Sequence, residues 1–348
     1  MPMRRLHRSA LKMLLALGIS AGLLGALYRQ VDLAQLRAAL AQASWPPFAL
    51  ALAIGGLISA VTAGRYTLVA RRLGIDPSPG YTTSLRSYFL AACLNLLLPS
   101  KLGDLGKGLL CSRLDRRAYP LDLHVFTLYE KVADLFALVA LGAAVGASRR
   151  WLGRTPGLSD LSLGGAFTGL GLNTLLWLLA LTLLLVLIPH RREGWLAKLL
   201  RPFPRKLREA AMLASRFRPW DFLGFLALSL GLWALHLAQM GLFAEALGMN
   251  LWGPSGLFVM VTAVLVGLLP ISFAGIGTRD AALLVLLAPL YGKASPLLFG
   301  VLLTSRYVLP ALVGALFLRQ LAAAEAVSPP PALADSQPSQ EPPGPRPA

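Results

Sequence analysis

Charged residues are scarce in this 348-residue chain. They make up 14% of it, against roughly 25% in soluble domains, whereas 56% of the residues are hydrophobic. Continuous Leu, Ala and Val runs approach or exceed the roughly 18 residues that can cross a bilayer. Only helices and closed barrels satisfy their backbone hydrogen bonds in lipid, and the runs do not alternate as barrel strands do. The sequence therefore predicts an all-α polytopic membrane protein.

Cysteine and histidine are also rare. Cys93 and Cys111 are the only cysteines, which excludes a disulfide framework or a C-x-x-C site. The four histidines are scattered along the chain, so we expect no zinc site. The sequence has no G-x-x-x-x-G-K-[ST] phosphate loop. We therefore expect no metal, no cofactor and no enzyme activity.

The net charge of +17 comes from 33 basic and 16 acidic residues. The bases cluster beside apolar segments, where they act as topology signals and contact anionic headgroups. No DNA- or RNA-binding motif accompanies them. We therefore expect a membrane-lipid partner and no nucleic acid.

Apolar runs predict six full spans and two broken segments, and hence six to eight transmembrane helices. The broken segments cover about 84–112 and 256–291, and the full spans about 11–27, 46–70, 123–147, 165–189, 221–247 and 296–318. Bases precede the first span without a clear cleavage site after it, so we expect an uncleaved helix there. The basic loop 190–220 is expected to be cytoplasmic, as are both termini, although bases at 149–154 then fall on the outer side.

This scheme gives each half two spans, a re-entrant hairpin and a third span, in opposite orientations. We therefore predict an integral membrane domain over 1–320 made of inverted repeats, about 1–150 and 160–320, with the basic loop inside the second. In the alternative, each broken segment crosses twice or completely, which gives seven to ten spans. The Pro-rich tail 327–348 is expected to be disordered.

The two broken segments carry similar motifs. Residues 95–110 read NLLLPSKLGDLGKGLL, and residues 268–284 read LLPISFAGIGTRDAALL. Each has Leu-Leu-Pro, followed by two glycines with basic and acidic residues beside them, and then further apolar residues. Pro/Gly breaks at corresponding positions of two halves indicate a transporter-type site built from broken helices.

The breaks predict an anion site inside the membrane. A half-helix that begins there offers free N–H groups and the positive end of its dipole. Lys101, Lys107 and Arg279 would bind phosphate, while Asp104 and Asp280 would cap the first turns and hold the adjacent bases. A packing kink without a ligand is the alternative.

Several other charges lie inside apolar surroundings. Glu130 and Asp134 share one helical face, Lys131 is expected to point elsewhere, and the bases of the two breaks are the available partners. The alternative to a binding site is a buried ion-pair network that only fixes helix packing. Arg65, Glu245 and Arg306 are expected to snorkel from span ends. The candidate headgroup-binding residues are Asn95, Pro99, Lys101, Gly103, Asp104, Lys107, Glu130, Lys131, Asp134, Pro270, Gly275, Gly277, Arg279 and Asp280.

These motifs resemble those of a known family. The pattern Asn95-x-x-x-Pro99-x-Lys101-x-Gly103-Asp104-x-x-Lys107 resembles the N-x-x-x-P-x-R-x-G-E-x-x-R signature of the lysylphosphatidylglycerol synthase transmembrane-region family, also described as flippase-like integral membrane proteins. Residues 130–135 (EKVADL) resemble its E-R-x-x-D-L element, and residues 275–282 (GIGTRDAA) its G-x-G-x-R-E-A motif. The resemblance runs from about residue 10 to 320. Lys replaces Arg and Asp replaces Glu at several positions, which keeps the charge but loses the bidentate fork of Arg.

The resemblance implies a stand-alone member, without the aminoacyltransferase domain that some members carry. It implies translocation of a phospholipid, a hopanoid or a polyprenyl-linked lipid with an anionic headgroup, in a bacterial inner membrane. Two alternatives stay open. One is a non-catalytic membrane partner of an envelope lipid-synthesis enzyme, and the other is an intramembrane lipid-phosphate transferase in which acids such as Asp104, Glu130 and Asp134 ligate Mg²⁺ or act as a base.

Overall fold

The structure is a computed structural model that describes residues 32–97, 99–117, 119, 121–151, 219–268 and 275–327, with isolated positions before residue 32. The side chains of residues 97–102 and of several positions near helix ends are not described. The predicted spans 11–27 and 165–189, nearly all of loop 190–220 and the tail beyond residue 327 lie outside these ranges.

The described residues form helices. Before the first break these are α1 (Leu33–Ala41), α2 (Trp45–Arg72) and α3 (Tyr81–Leu97); a 3-10 helix (Pro99–Gly106) follows, then α4 (Lys107–Asp115) and α5 (Leu121–Trp151). The second part contains α6 (Pro219–Ala246), α7 (Pro254–Gly267), α8 (Thr278–Tyr291) and α9 (Ala294–Val327).

Three helices are long and apolar enough to cross a membrane: Trp45–Arg72, Leu223–Ala246 and Ala294–Leu321. They coincide with the predicted spans 46–70, 221–247 and 296–318, and the predicted span 123–147 lies within α5. Large apolar side chains stay exposed on these helices, for example Leu57 at 48% and Leu316 at 73%, as a surface that faces lipid requires. The prediction of an all-α polytopic membrane protein is confirmed.

Local sequence explains where these helices begin and end. Two prolines in the first turn start α2, where a missing N–H costs nothing, and Arg71 and Arg72 lie in its last turn, beside the negative end of the helix dipole. Pro254 starts α7 in the same way.

Both predicted breaks are present. At the first, the backbone leaves α3 after Leu97 and forms the 3-10 helix before α4 begins at Lys107. A Cβ atom on Gly103 would lie 2.5 Å from the carbonyl oxygen of Ala91, so the break is pressed against α3. At the second, Gly275 has φ 76°, and a Cβ there would lie 2.5 Å from the carbonyl oxygen of Gly267. Glycine is therefore required at both close approaches.

Helices α2 and α6 pack antiparallel. Gln239, late in α6, donates to the carbonyl oxygen of Ala51, early in α2, at 3.0 Å. Arg65, late in α2, donates to Ser229, early in α6, at 2.8 Å. Antiparallel packing of two corresponding helices is the arrangement that a two-fold axis in the membrane plane produces.

The contacts of the two halves also correspond. Gly142 of α5 approaches Val261 of α7, and Gly314 of α9 approaches Phe89 of α3. When the two halves are aligned so that Gly103 matches Gly275, Gly142 matches Gly314 and Phe89 matches Val261. These matches support the predicted inverted repeat. Its boundaries, 1–150 and 160–320, fall partly outside the described residues and stay a prediction.

The first break supplies a test of the fold. We expect Gly103→Ala to destabilise the protein by about 1–3 kcal/mol, because backbone atoms of α3 occupy the space of the new methyl group. Gly106→Ala is the matched control, since a Cβ at Gly106 meets nothing within 4 Å. Thermal unfolding in detergent measures both variants. Equal melting temperatures would contradict the close packing of the break.

Candidate functional site

Arg65 of α2 is the centre of a buried ionic cluster. Its side chain is 2% exposed, with Nη2 2.7 Å from Glu130 Oε1 and Nη1 2.6 Å from Asp134 Oδ1. Nη1 also donates to the hydroxyl of Ser229. The guanidinium lies over the ring of Phe225, 5.1 Å from its centroid. One arginine therefore joins α2, α5 and α6 through charge-assisted hydrogen bonds, which are the strongest available in a low dielectric.

Lys107, the first residue of α4, completes the inner part of the cluster. Its Nζ is 3.1 Å from Glu130 Oε2, and it lies 5.6 Å from the ring centroid of Tyr66. The Glu130 side chain is fully buried. An isolated carboxylate at such a position would be very unfavourable. Two cations hold it, one from the first break and one from α2.

The outer part of the cluster is more accessible. Lys131 Nζ is 2.9 Å from Asp104 Oδ2 and 3.8 Å from Asp134 Oδ2. Asn95 fixes Asp104 on the other side, because its amide nitrogen donates to Asp104 Oδ1 and its oxygen accepts from the Asp104 N–H. The Lys131 side chain is 30% exposed, the most exposed base of the cluster.

Two sequence predictions about this cluster are wrong. Lys131 does not point away from the acids, because its long side chain reaches back to Asp104 of the break and to Asp134, one turn on. Arg65 does not snorkel to a membrane surface. It is instead the common partner of both acids on α5. Of the bases that were expected beside Glu130 and Asp134, Lys107 is found there. The side chain of Lys101 is not described.

The second break forms a separate network. Arg279 is 3% exposed, and its Nε and Nη2 donate to Asp280 Oδ1 at 3.0 and 2.8 Å. Nη2 also reaches the Gly300 carbonyl oxygen and the Thr304 hydroxyl of α9. Asp280 Oδ2 accepts from the Gly277 N–H at 3.0 Å and so caps α8. The expectation that Asp280 caps a half-helix and holds the adjacent base is confirmed.

Other expectations about the breaks are not met. Arg279 is not a partner of Glu130 or Asp134; its described hydrogen bonds go to Asp280, Gly300 and Thr304 of its own half. Asp104 does not cap α4, which begins after Gly106 without a side-chain hydrogen bond. Pro270 lies outside the described residues.

A cavity of about 750 Å³ lies between the two halves. Of the predicted site residues, Asn95, Asp104, Lys107, Lys131 and Asp134 line it; Glu130, Arg279 and Asp280 lie outside its described lining. The remaining wall is mostly apolar and comes from α2, α3, α6, α7 and α9. The first break therefore faces the cavity, whereas the ionic network of the second is enclosed.

Sequence reasoning missed two basic residues of this wall, Arg65 and Arg306. Arg306 is half-buried on α9, and its Nη2 donates to Nδ1 of His236 on α6. Arg306 lies near the middle of the predicted span 296–318, and this position argued against snorkelling.

Glu245 lies near the end of α6, as predicted. It is exposed, and its carboxylate accepts a hydrogen bond from the indole N–H of Trp252 at 2.8 Å.

The fold and the site together define a helical membrane protein with broken helices beside a cavity whose wall is partly charged and mostly apolar. The chain matches the family described as lysylphosphatidylglycerol synthase TM region over residues 13–315. It therefore belongs to that family, and this membership indicates a function connected with membrane lipids. Searches of curated proteins and of solved structures give no match.

Replacing the central arginine tests the ionic cluster. We expect Arg65→Gln to destabilise the protein by about 3–5 kcal/mol, because Glu130 and Asp134 would stay buried with too little positive charge. Arg65→Lys keeps the positive charge but loses the bidentate hydrogen bonding of the guanidinium, so it should destabilise the protein less than Arg65→Gln. Arg71→Gln, at an exposed position of the same helix, is the control. If all three variants unfold at the wild-type temperature, the cluster does not stabilise the fold.

Proposed function

We propose that this protein translocates a lipid with an anionic headgroup across a bacterial inner membrane, with both termini in the cytoplasm. The observation that carries the proposal is the two-sided cavity. One part of its wall is charged and polar, and the rest is apolar. A lipid has the same division, so its headgroup can occupy the polar part while its acyl chains contact the apolar part.

The polar part can replace water around a headgroup. Lys107 and Lys131 reach it from the first break and from α5, and Asn95 and Asp104 add amide and carboxylate groups. A headgroup that enters the hydrocarbon region unassisted loses its hydration, which is the main barrier to spontaneous translocation. Fixed charges and broken-helix backbone at that depth lower the barrier.

The apolar part reaches the protein surface. Five apolar residues of the wall are exposed: Leu52 at 36%, Leu105 at 42%, Leu135 at 38%, Leu309 at 45% and Val313 at 39%. They belong to helices that face lipid or to the break itself. Acyl chains can therefore remain in the bilayer while the headgroup is inside, which removes the need for a cavity as large as a whole lipid.

The ion pairs favour translocation over the transferase alternative. A transferase needs a carboxylate that is available as metal ligand or base. Asp104, Glu130 and Asp134 each lie within 3.1 Å of a lysine or arginine nitrogen. These carboxylates therefore act as counter-ions for the bases and are not available as metal ligands or as a general base.

The sequence contains no G-x-x-x-x-G-K-[ST] phosphate loop that would couple translocation to ATP hydrolysis. We infer that a gradient, a partner protein or the concentration of the lipid itself drives translocation. An envelope enzyme that synthesises the lipid would be a suitable partner, because it would deliver product directly to the cavity.

Filling the cavity tests its role without changing charge. Gly56 lines the cavity, and a Cβ there meets nothing within 4 Å. We expect Gly56→Phe to slow translocation at least about tenfold, because the ring occupies space that the lipid needs, while the melting temperature stays near wild type. The measurement is dithionite quenching of a fluorescent phosphatidylglycerol in proteoliposomes.

Gly224→Phe is the matched control. Gly224 also has open space around its Cβ, but it lies on α6 outside the described wall of the cavity. Wild-type protein that accelerates quenching no more than empty liposomes would refute the proposal. Equal rates in Gly56→Phe and Gly224→Phe would show that lipid does not pass through this cavity.

A further inference from the structure

Arg306 differs from the other cationic groups of the cavity wall in its surroundings. Across the described ranges, no carboxylate lies within ion-pair distance of its guanidinium. Its described hydrogen bond goes from Nη2 to Nδ1 of His236, an imidazole nitrogen and not a carboxylate. Its Nε is buried and has no hydrogen-bond partner in the described structure. A cation that lines a membrane cavity without a counter-ion is expected to bind an anion there.

The acids of the cavity are in the opposite situation. Asp134 is bonded to Arg65 by both carboxylate oxygens, at 2.6 and 3.0 Å. Asp104 is held by Lys131 and by the Asn95 amide. Each acidic group of the described wall thus has its own cation, and an incoming cationic headgroup would have to break an ion pair to find a partner.

The correspondence between the two halves locates this imbalance. When the two halves are aligned so that Gly103 matches Gly275, Lys107 matches Arg279 and Asp134 matches Arg306. In the first half, Asp134 of α5 faces Arg65 of α2, so the contact between these helices is neutralised. In the second half, Arg306 of α9 faces His236 of α6, and no described carboxylate lies within ion-pair distance of the Arg306 guanidinium. Among the described residues of the wall, the second half therefore contributes a positive charge without an acidic partner.

We propose that Arg306 binds a phosphate-type oxyanion in the cavity, which makes the site selective for lipids with an anionic phosphodiester over lipids with a cationic headgroup. This inference rests on the proposed function and specifies its substrate class. The guanidinium offers planar N–H donors that fit two phosphate oxygens. The hydrogen bond to His236 Nδ1 holds the guanidinium in place.

Two sources can supply this oxyanion, a lipid headgroup or free inorganic phosphate. The exposed apolar residues of the same wall, Leu309 and Val313, lie one and two turns beyond Arg306 on α9. A ligand held by the guanidinium would therefore have apolar surface beside it. This arrangement favours the lipid, and the experiment distinguishes the two sources.

The test measures binding and translocation on the same purified protein. Native mass spectrometry in detergent gives the affinity for phosphatidylglycerol and for its cationic lysyl ester, each with and without millimolar inorganic phosphate. We expect wild type to prefer phosphatidylglycerol, and Arg306→Gln to bind it at least about tenfold more weakly, as the loss of a charged bidentate contact implies. Arg306→Lys should retain part of the affinity.

Arg86→Gln is the matched control. Arg86 lies on α3 and stacks on Phe317, 5.8 Å from the ring centroid, outside the described wall of the cavity. Its replacement should leave the preference for phosphatidylglycerol unchanged. Melting temperatures of all variants separate a loss of binding from a loss of folding, and the comparison is made at a temperature where each variant is folded.

The outcomes separate this inference from the proposed function. If wild type translocates lipid and folded Arg306→Gln keeps the wild-type preference, the role of Arg306 is overturned and the function stands. If wild type binds phosphatidylglycerol through Arg306 but moves no lipid, the site stands and translocation is refuted. Equal binding of the lysyl ester overturns the selectivity. Displacement of phosphatidylglycerol by phosphate at millimolar concentration would identify the free anion as the ligand instead of the lipid.

Discussion

The contact of one arginine with two carboxylates sets the arrangement of the first half of this protein. An unpaired charge inside a helix bundle surrounded by lipid is costly, and Arg65 meets Glu130 and Asp134 where α2, α5 and α6 come together. Lys107 then draws the first break towards the same carboxylate. The broken segment is thereby held beside α5, with a cavity next to it and not a closed apolar interface.

The two halves use one backbone plan with different polar contents. In both, a helix stops, a glycine permits close approach to that helix, and a new helix begins. The first half shares its charges between helices and exposes Lys131 to the cavity. The second half encloses Arg279 with Asp280 and presents Arg306 in place of an acid. Two halves with similar backbones can therefore place different polar groups around one cavity.

Much of the fold was predictable because it depends on local chemistry. Hydropathy alone predicted three membrane-crossing segments, 46–70, 221–247 and 296–318, to within a few residues of Trp45–Arg72, Leu223–Ala246 and Ala294–Leu321. Pro and Gly marked both breaks, since they disrupt helical hydrogen bonding wherever they occur together. The pairing of Asp280 with its neighbour Arg279 and with the Gly277 N–H was also within reach, because all three groups lie in one turn.

Sequence by itself thus determined which segments are apolar enough for a membrane, where two of them are interrupted, and which charges lie among apolar residues. Tertiary structure decided which charge meets which. Arg65 and Asp134 are 69 positions apart, so their contact depends on how α2 and α5 are rotated and packed. Local sequence likewise does not reveal that Arg306 lies beyond ion-pair distance of every carboxylate in the described part of the chain. Side-chain pairing in a bundle follows from helix packing, and that packing is fixed by the whole set of contacts at once and not by any one segment.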